Sequence, residues 1–391
     1  MPSGAAAVGL FLSLTLAVTK GTRFEGHSLG PPCRPSHVCT LAFVSDNPVF
    51  LRCPHGSLRV FITWQYFDPA QSDEQPATFL HSRSTFGPVV SQAHLRRLQS
   101  KSRLLNSNLY NPSPSVQDSG VYTCRTGDAT LAYYQVDFQD ANSIHVSHAS
   151  LGEATLANTT VNVTNELQAK LFTSWSPWQP CDRCGRPGER KRVGFCYAQV
   201  ISWKEHRVEQ LLPCGVAQRK HPTLPKRGPE LRVEACQVPC NESHLLAKEE
   251  PGTVPLFVYT IYHPSFQDTT YLRCPTSSIY SPVYWEEGST ALTRLQLLQQ
   301  NRSSHNLDEA TGGGILRLSF QNRSQRVFYQ CYVNGHLVGK FLITAPSRVG
   351  EPTYTYSIVE ALVVGMSMFL VFLMFLSIIQ SCRKKPGTTM V

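Results

Sequence analysis

Short runs in which apolar and polar residues alternate recur along the chain, as in Val60-Phe61-Ile62-Thr63-Trp64 and Ala132-Tyr133-Tyr134-Gln135-Val136. Side chains alternate faces along a strand, so this period of two, broken by turn residues, predicts strands with one buried face. Ile315-Leu316-Arg317-Leu318-Ser319-Phe320 and Val338 to Ile343 read the same way. Near the end the pattern changes. From Ala361 to Ile379 nineteen consecutive residues carry no charge. At about 1.5 Å per residue they form a helix of about 30 Å, the thickness of a bilayer's hydrocarbon core. A buried helix of a soluble protein is the rival reading, and the run opposes it by being apolar all round. The predicted membrane helix covers 358–380. Arg383, Lys384 and Lys385 follow at once, and cations are retained on the cytoplasmic side. The expectation is a single-pass, type I plasma-membrane protein with its N-terminus extracellular, a stalk at 349–357 and a cytoplasmic tail at 381–391.

The other end fits this topology. Ala5 to Val18 is an apolar run followed by Thr19 and Lys20, read as a signal peptide over 1–19 with cleavage around residues 17–24. Its first residues lack Lys and Arg, so an uncleaved anchor is the alternative. Of thirteen Cys, only Cys382 lies on the inner side. The other twelve are an even number in an oxidising compartment, which predicts six disulfides. Five Asn-x-Ser/Thr sites, Asn158, Asn162, Asn241, Asn301 and Asn322, all precede the membrane helix and are expected to carry N-linked glycan.

Cys53 and Cys124 are 71 residues apart, Trp64 lies eleven after the first, and Asp118-Ser119-Gly120-Val121-Tyr122-Thr123 leads into the second. This resembles the immunoglobulin fold. The resemblance implies a Cys53–Cys124 bridge between two sheets, Trp64 packed on it, and Tyr122 capping a turn with its hydroxyl. Gly120 is read as relieving that turn, and Asp118 as pairing with Arg103. The separation suits a variable-type sandwich over 20–139. Cys33 and Cys39 either close a small loop on each other or send one sulfur to another domain. Residues 140–171 turn polar and read as a glycosylated linker, with Val161, Val163 and Leu167 able to supply a strand.

Trp175-Ser176-Pro177-Trp178 then precedes Cys181, Cys184, Arg190, Lys191, Arg192, Cys196, Cys214, Cys236 and Cys240. This resembles a thrombospondin type 1 repeat over 172–241. The resemblance implies a ladder in which Arg190 and Arg192 alternate with Trp175 and Trp178, stapled by Cys181–Cys236, Cys184–Cys240 and Cys196–Cys214. Such a strip is too thin for a true core. Cys181 and Cys184 stand two residues apart where the family usually has three, and the frequent third Trp is absent. A four-thiolate zinc site is a rival reading of the same Cys, opposed by the oxidising compartment and by the two Cys it would strand. Twelve Lys and Arg lie between Arg183 and Arg232. A basic strip outside the cell invites sulfated glycosaminoglycan, while the plainer reading stacks two Arg on Trp and solvates the rest. Arg190-Lys191-Arg192 also reads as a weak proprotein cleavage motif.

After a linker at 249–252 the first pattern returns. Cys274 and Cys331 are 57 apart, Trp285 is eleven after the first, and Tyr329 precedes the second by two. Leu51-Arg52-Cys53-Pro54 repeats as Leu272-Arg273-Cys274-Pro275, an internal repeat. The second sandwich, over 242–348, is expected to have fewer strands than the first, because its cysteines are closer. Gln325-Arg326-Val327 replaces the Asp-x-Gly turn, which puts its corner salt bridge in doubt.

The whole is mainly β: two immunoglobulin-like sandwiches flanking a small disulfide-rich module, plus one transmembrane helix. The layout resembles the membrane family called "family with sequence similarity 187". That name carries no mechanism. The immunoglobulin-like sandwiches, which present loops on a rigid frame, point to a binding protein, an adhesion or receptor-like molecule taking an extracellular or membrane protein ligand through the exposed face or loops of residues 40–139. The alternative is an accessory subunit acting through a partner in its own membrane, with Glu360 meeting a partner's cation. No hydrolase elbow, zinc-protease helix or phosphate loop is present, nor paired carboxylates in a plausible cleft, and His145 and His148 lack an evident third ligand. The expectation is therefore no enzyme, no metal, no cofactor and no nucleic acid. The tail has no Tyr, which leaves any signal to a partner; Cys382 is either a free thiol or palmitoylated.

Overall fold

The computed structural model describes residues 38–54, 61–69, 75–82, 88, 90–202, 207–240, 257–262, 269–299, 304–319, 326–344 and 354–383. The signal segment, Cys33, the linker at 249–252, the sequons at Asn241, Asn301 and Asn322, and tail residues 384–391 lie outside them.

The first unit runs β1 (Cys39–Val44), β2 (Val49–Leu51), β3 (Thr63–Phe67), β4 (Ala77–His81), α1 (Ala93–Lys101), β5 (Arg103–Leu105), β6 (Asn108–Asn111), β7 (Gly120–Thr126) and β8 (Ala129–Gln139). It forms two sheets, ordered β1-β8-β7-β3-β4 and β2-β6-β5. Alternation decides which side chains enter. Trp64 and Tyr66 of β3, Tyr122 and Cys124 of β7, and Tyr134 and Val136 of β8 are all buried, each contributing about 1.5–3 kcal/mol of apolar transfer. Cys53 and Cys124 are bonded across the sheets. The buried indole of Trp64 satisfies its N–H by donating to the Ser107 carbonyl at 3.0 Å.

The corner beneath Tyr122 differs from expectation in two respects. The Tyr122 hydroxyl donates to the Asp118 carbonyl at 2.5 Å, but the Asp118 carboxylate pairs with Lys101, at the end of α1, and lies 3.4 Å from His94. Arg103 instead sits 4.9 Å over the Tyr110 ring. The helix brings Lys101 to the corner, whereas Arg103, two residues on, already belongs to β5. Gly120 is needed for space rather than for a turn. A Cβ there would come within 2.5 Å of the Tyr66 ring, closer than atoms tolerate.

The middle unit comprises β9 (His145–His148), β10 (Thr159–Asn162), β11 (Leu167–Trp175), β12 (Gly188–Ser202), β13 (Arg207–Pro213), α2 (Cys214–Lys220) and β14 (Glu230–Cys236). Its sheet runs β10-β11-β12-β14-β9, with β13 also on β12. Residues 140–171, read as linker, therefore supply β9, β10 and the start of β11. Strand β9 pairs in parallel with β14, a partner some 85 positions away that a polar composition conceals. The unit is also no coreless strip. Ala169, Leu171, Ala198, Val200, Leu212, Val216, Ala217 and Leu224 form a small buried cluster, because α2 packs over the sheet that β13 extends beside the long β12.

The third unit runs β15 (Val258–Tyr262), β16 (Thr269–Arg273), β17 (Val283–Glu287), β18 (Thr290–Leu292), α3 (Arg294–Gln299), β19 (His305–Leu307), β20 (Ile315–Ser319), β21 (Val327–Val333) and β22 (His336–Ile343). Its sheets, β15-β22-β21-β17-β18 and β16-β20-β19, match the first unit strand for strand. The expectation of fewer strands fails. The closer cysteines are absorbed by connections, residues 288–289 against 68–76 and 293–304 against 82–102. Cys274 and Cys331 are bonded, Trp285 is fully buried, and the Tyr329 hydroxyl donates to Glu287 at 3.0 Å and lies 3.1 Å from His305. A single helix, α4 (Tyr354–Arg383), follows. Its segment Glu360–Gln380 is long and apolar enough to cross a membrane and is exposed along its length.

Candidate interaction surfaces

In the middle unit the ladder residues stack in the order Trp175, Arg192, Trp178, Arg190. The Arg192 guanidinium lies 4.7 Å from the Trp175 ring and 4.6 Å from that of Trp178, and Arg190 lies 5.0 Å from Trp178 on its other side. Arg190 also pairs with Glu234 on the neighbouring strand. The bonded cysteines are Cys181–Cys236, Cys184–Cys240 and Cys196–Cys214. Cys181, Asp182 and Cys236 lie close enough together to hold an ion, but both sulfurs are engaged in their own disulfide. Cys39 is disulfide-bonded. Asn158 and Asn162 are exposed at the two ends of edge strand β10.

Lys191 points the other way. On β12 it alternates with Arg190 and Arg192, so its side chain enters the protein and is buried. Its ammonium donates to the Gly312 carbonyl of the third unit. Burial lowers its pKa to about 8, with Asp182 and Glu189 opposing. Strand pairing on β12 and this burial hold the tribasic run within the sheet, unlike the unpaired segment a protease would bind.

Lys191 belongs to a junction at which all three units meet. Asn47, buried in the turn between β1 and β2, donates to the carbonyls of Ser45 and Ala310 at 2.9 Å each and accepts from the Ile279 amide at 2.8 Å. The preceding Asp46 adopts a left-handed backbone, φ 57°, which Asp tolerates better than most residues. Tyr280 accepts from the Val44 amide at 2.8 Å, and Gln179 donates to the Ile279 carbonyl at 2.7 Å. Glu189 accepts from the Arg294 and Leu295 amides that open α3. Burial pushes its pKa up, but bonds from His148 and those two amides outweigh this and leave it lowered. Val193, Phe195, Leu231 and Val233 of the middle unit, with Ile279 and Tyr280 of the third, join the first unit's buried core. The sequence showed none of this. The one available signal was strand alternation, which assigns Lys191 to the face opposite its two arginines.

The junction decides which outer faces remain free. On the first unit's five-stranded sheet, Asp137 accepts from the Gly215 amide at 3.0 Å, and Gln139 exchanges two bonds with the backbone of Cys196. That end is closed. At the other end Gln65, Thr123 and Tyr133 form one row across β3, β7 and β8. Arg125 lies beside them, donating to the Asp128 carbonyl of the β7–β8 turn.

No protein-family model matches the chain. Among curated proteins it is similar to the mouse Ig-like V-type domain-containing protein FAM187A, 24% identical over 295 residues and 68% of each chain. The cattle protein of that name is 26% identical over 257 residues and 59% of each chain. The chain thus spans 59–68% of the length of these relatives. Solved structures that match include the first Ig domain of the mouse polymeric immunoglobulin receptor, 11% identical over 26% of this chain and 89% of that one, TM-score 0.20. The N-terminal four Ig domains of Dscam1 match over 81% of this chain and 45% of that one, at 10% identity and TM-score 0.19. The chain thus carries paired immunoglobulin-type sandwiches, five described disulfides and one candidate membrane-spanning helix, and is similar in sequence to the Ig-like V-type domain-containing protein FAM187A.

Proposed function

We propose that the protein is a single-pass, type I plasma-membrane binding protein that recognises an extracellular protein ligand through its first sandwich. The observation that carries this reading is the open end of the β1-β8-β7-β3-β4 sheet. There a half-buried Tyr133, Arg125, Gln65 and the turn at Gly127 and Asp128 stand on a rigid frame, while the opposite end is sealed by the middle unit. Tyr and Arg supply large contact area at low entropic cost and dominate interface energetics.

The glycosaminoglycan reading is weaker because the tribasic run and two further cations of the middle unit are engaged within the protein. Arg190 and Arg192 stack on Trp, Lys191 is buried, Arg183 lies 4.8 Å over Tyr284, and Arg227 pairs with Glu230 at 3.1 Å. The test is binding of the soluble ectodomain, Phe24 to Thr355, to intact cells, with and without heparinase and high salt, beside Tyr133→Ala. Salt-resistant binding that falls at least about tenfold in Tyr133→Ala is expected. Binding abolished by heparinase moves the function to the middle unit. Absence of binding to any cell type favours the accessory-subunit reading.

A further inference from the structure

The outer face of the third unit's five-stranded sheet carries exposed apolar side chains beside a charged row. Tyr259 and Ile261 on β15 are 51% and 48% exposed, and Phe328 on β21 is 38% exposed. Register aligns them in rows. Ile261, Leu342 and Phe328 form one row across β15, β22 and β21; Tyr259, Lys340, Gln330 and Glu286 form the next and reach β17. The Lys340 ammonium sits 4.8 Å from the Phe328 ring. Arg183 covers only the far end, over Tyr284.

We infer that this face docks on the same face of a second copy of the chain, side by side in one membrane. The charges select both the occupant and the orientation. Along the second row Lys340 and Glu286 flank Gln330 symmetrically, one strand away on either side. A two-fold axis running along β21 through Gln330 lays Lys340 of each copy over Glu286 of the other, and stacks Phe328 on its own counterpart. An axis across the strands would set Lys340 against Lys340 and Glu286 against Glu286, which repel. The favoured axis leaves both copies of β22 running in the same direction. Residues 344–353 alone separate the end of β22 from α4, so parallel copies enter one bilayer together.

Size explains why such a dimer needs the membrane. Five strands about 4.8 Å apart and five residues at about 3.3 Å give a face of roughly 19 by 16 Å. A stable soluble dimer buries about 800 Å² per partner. Tethering makes up the difference by raising effective concentration to roughly millimolar.

The test uses the full chain in cells. Gln330→Cys places a thiol on the axis, and non-reducing electrophoresis of surface-labelled protein reads its disulfide-linked homodimer. Adding Lys340→Glu or Glu286→Lys is expected to lower the linked fraction at least about tenfold, through two like-charge contacts. Adding both together is expected to restore it. Phe328→Cys, also on the axis, gives the same readout if Gln330→Cys is retained in the cell. Surface-expressed cysteine variants that stay monomeric overturn the inference. So does linkage to a protein of different mass, or a double reversal no better than the single ones.

Discussion

Raising the pH should make this protein more stable before it makes it less so, and Lys191 is the reason. Its buried ammonium holds the Gly312 carbonyl, and burial brings its pKa from 10.5 to about 8. The unfolded chain keeps that proton over a range in which the folded chain has released it, so unfolding free energy climbs between about pH 8 and 10.5. From pH 7 to pH 9.5 the climb works out at about 2 kcal/mol. For an ectodomain of this length melting as a unit, that is about 3 °C. Beyond about pH 10 the sign reverses. Burial raises the pKa of Tyr332 to about 12 and those of Tyr280 and Tyr284 higher still, so the unfolded chain there sheds protons that the folded one retains. The assay is thermal unfolding of the soluble ectodomain, followed by intrinsic fluorescence at steps from pH 7 to 9.5, beside Lys191→Met. The wild type should rise and the variant should stay flat. A flat or falling wild-type profile, or an equal rise in Lys191→Met, refutes the reasoning.

Asn47→Ala leaves the Ile279 amide and the Ala310 carbonyl unpaired, and should cost about 2–4 kcal/mol. Hydrogen exchange at Ile279 should quicken while that at Trp64 changes less; uniform protection would count against the junction. Cys124→Ala strands Cys53 and removes about 2–5 kcal/mol, so surface arrival measured by biotin labelling should collapse, and normal export would contradict the sandwich. Arg192→Lys keeps the charge but not the planar stack between two indoles, and should lose about 1 kcal/mol in urea unfolding. An unchanged midpoint would remove the ladder as a stabilising feature.

Both sandwiches were legible because their signals are local: a Cys, a Trp eleven residues on, and a Tyr two before the closing Cys. The strand complement of the second was misread because cysteine spacing measures loops as well as strands. In the middle unit the strand at Val161 and Leu167 was legible from its apolar positions and forms β10 and the start of β11. Strand β9 was hidden by its polarity, being an edge strand with a sheet partner on one side only. Asp118 was assigned to Arg103 rather than Lys101 because linear order does not show which of two nearby cations a helix end delivers. The junction was illegible for a stronger reason. Val44 and Tyr280, or Lys191 and Gly312, meet across 236 and 121 positions, and no periodicity encodes such a meeting.

That meeting has a mechanical consequence. Domains threaded like beads extend under tension, and the slack in their connections absorbs a pull before it reaches the anchor. Here Asn47 and Tyr280 fasten the first unit to the third directly, and Gln179 and Lys191 tie the middle unit to the third as well. A tug on the first unit therefore bypasses the connections between units and reaches the third through a stiff arm. When the load exceeds the strength of the junction, the arm yields abruptly, lengthening as it gives way.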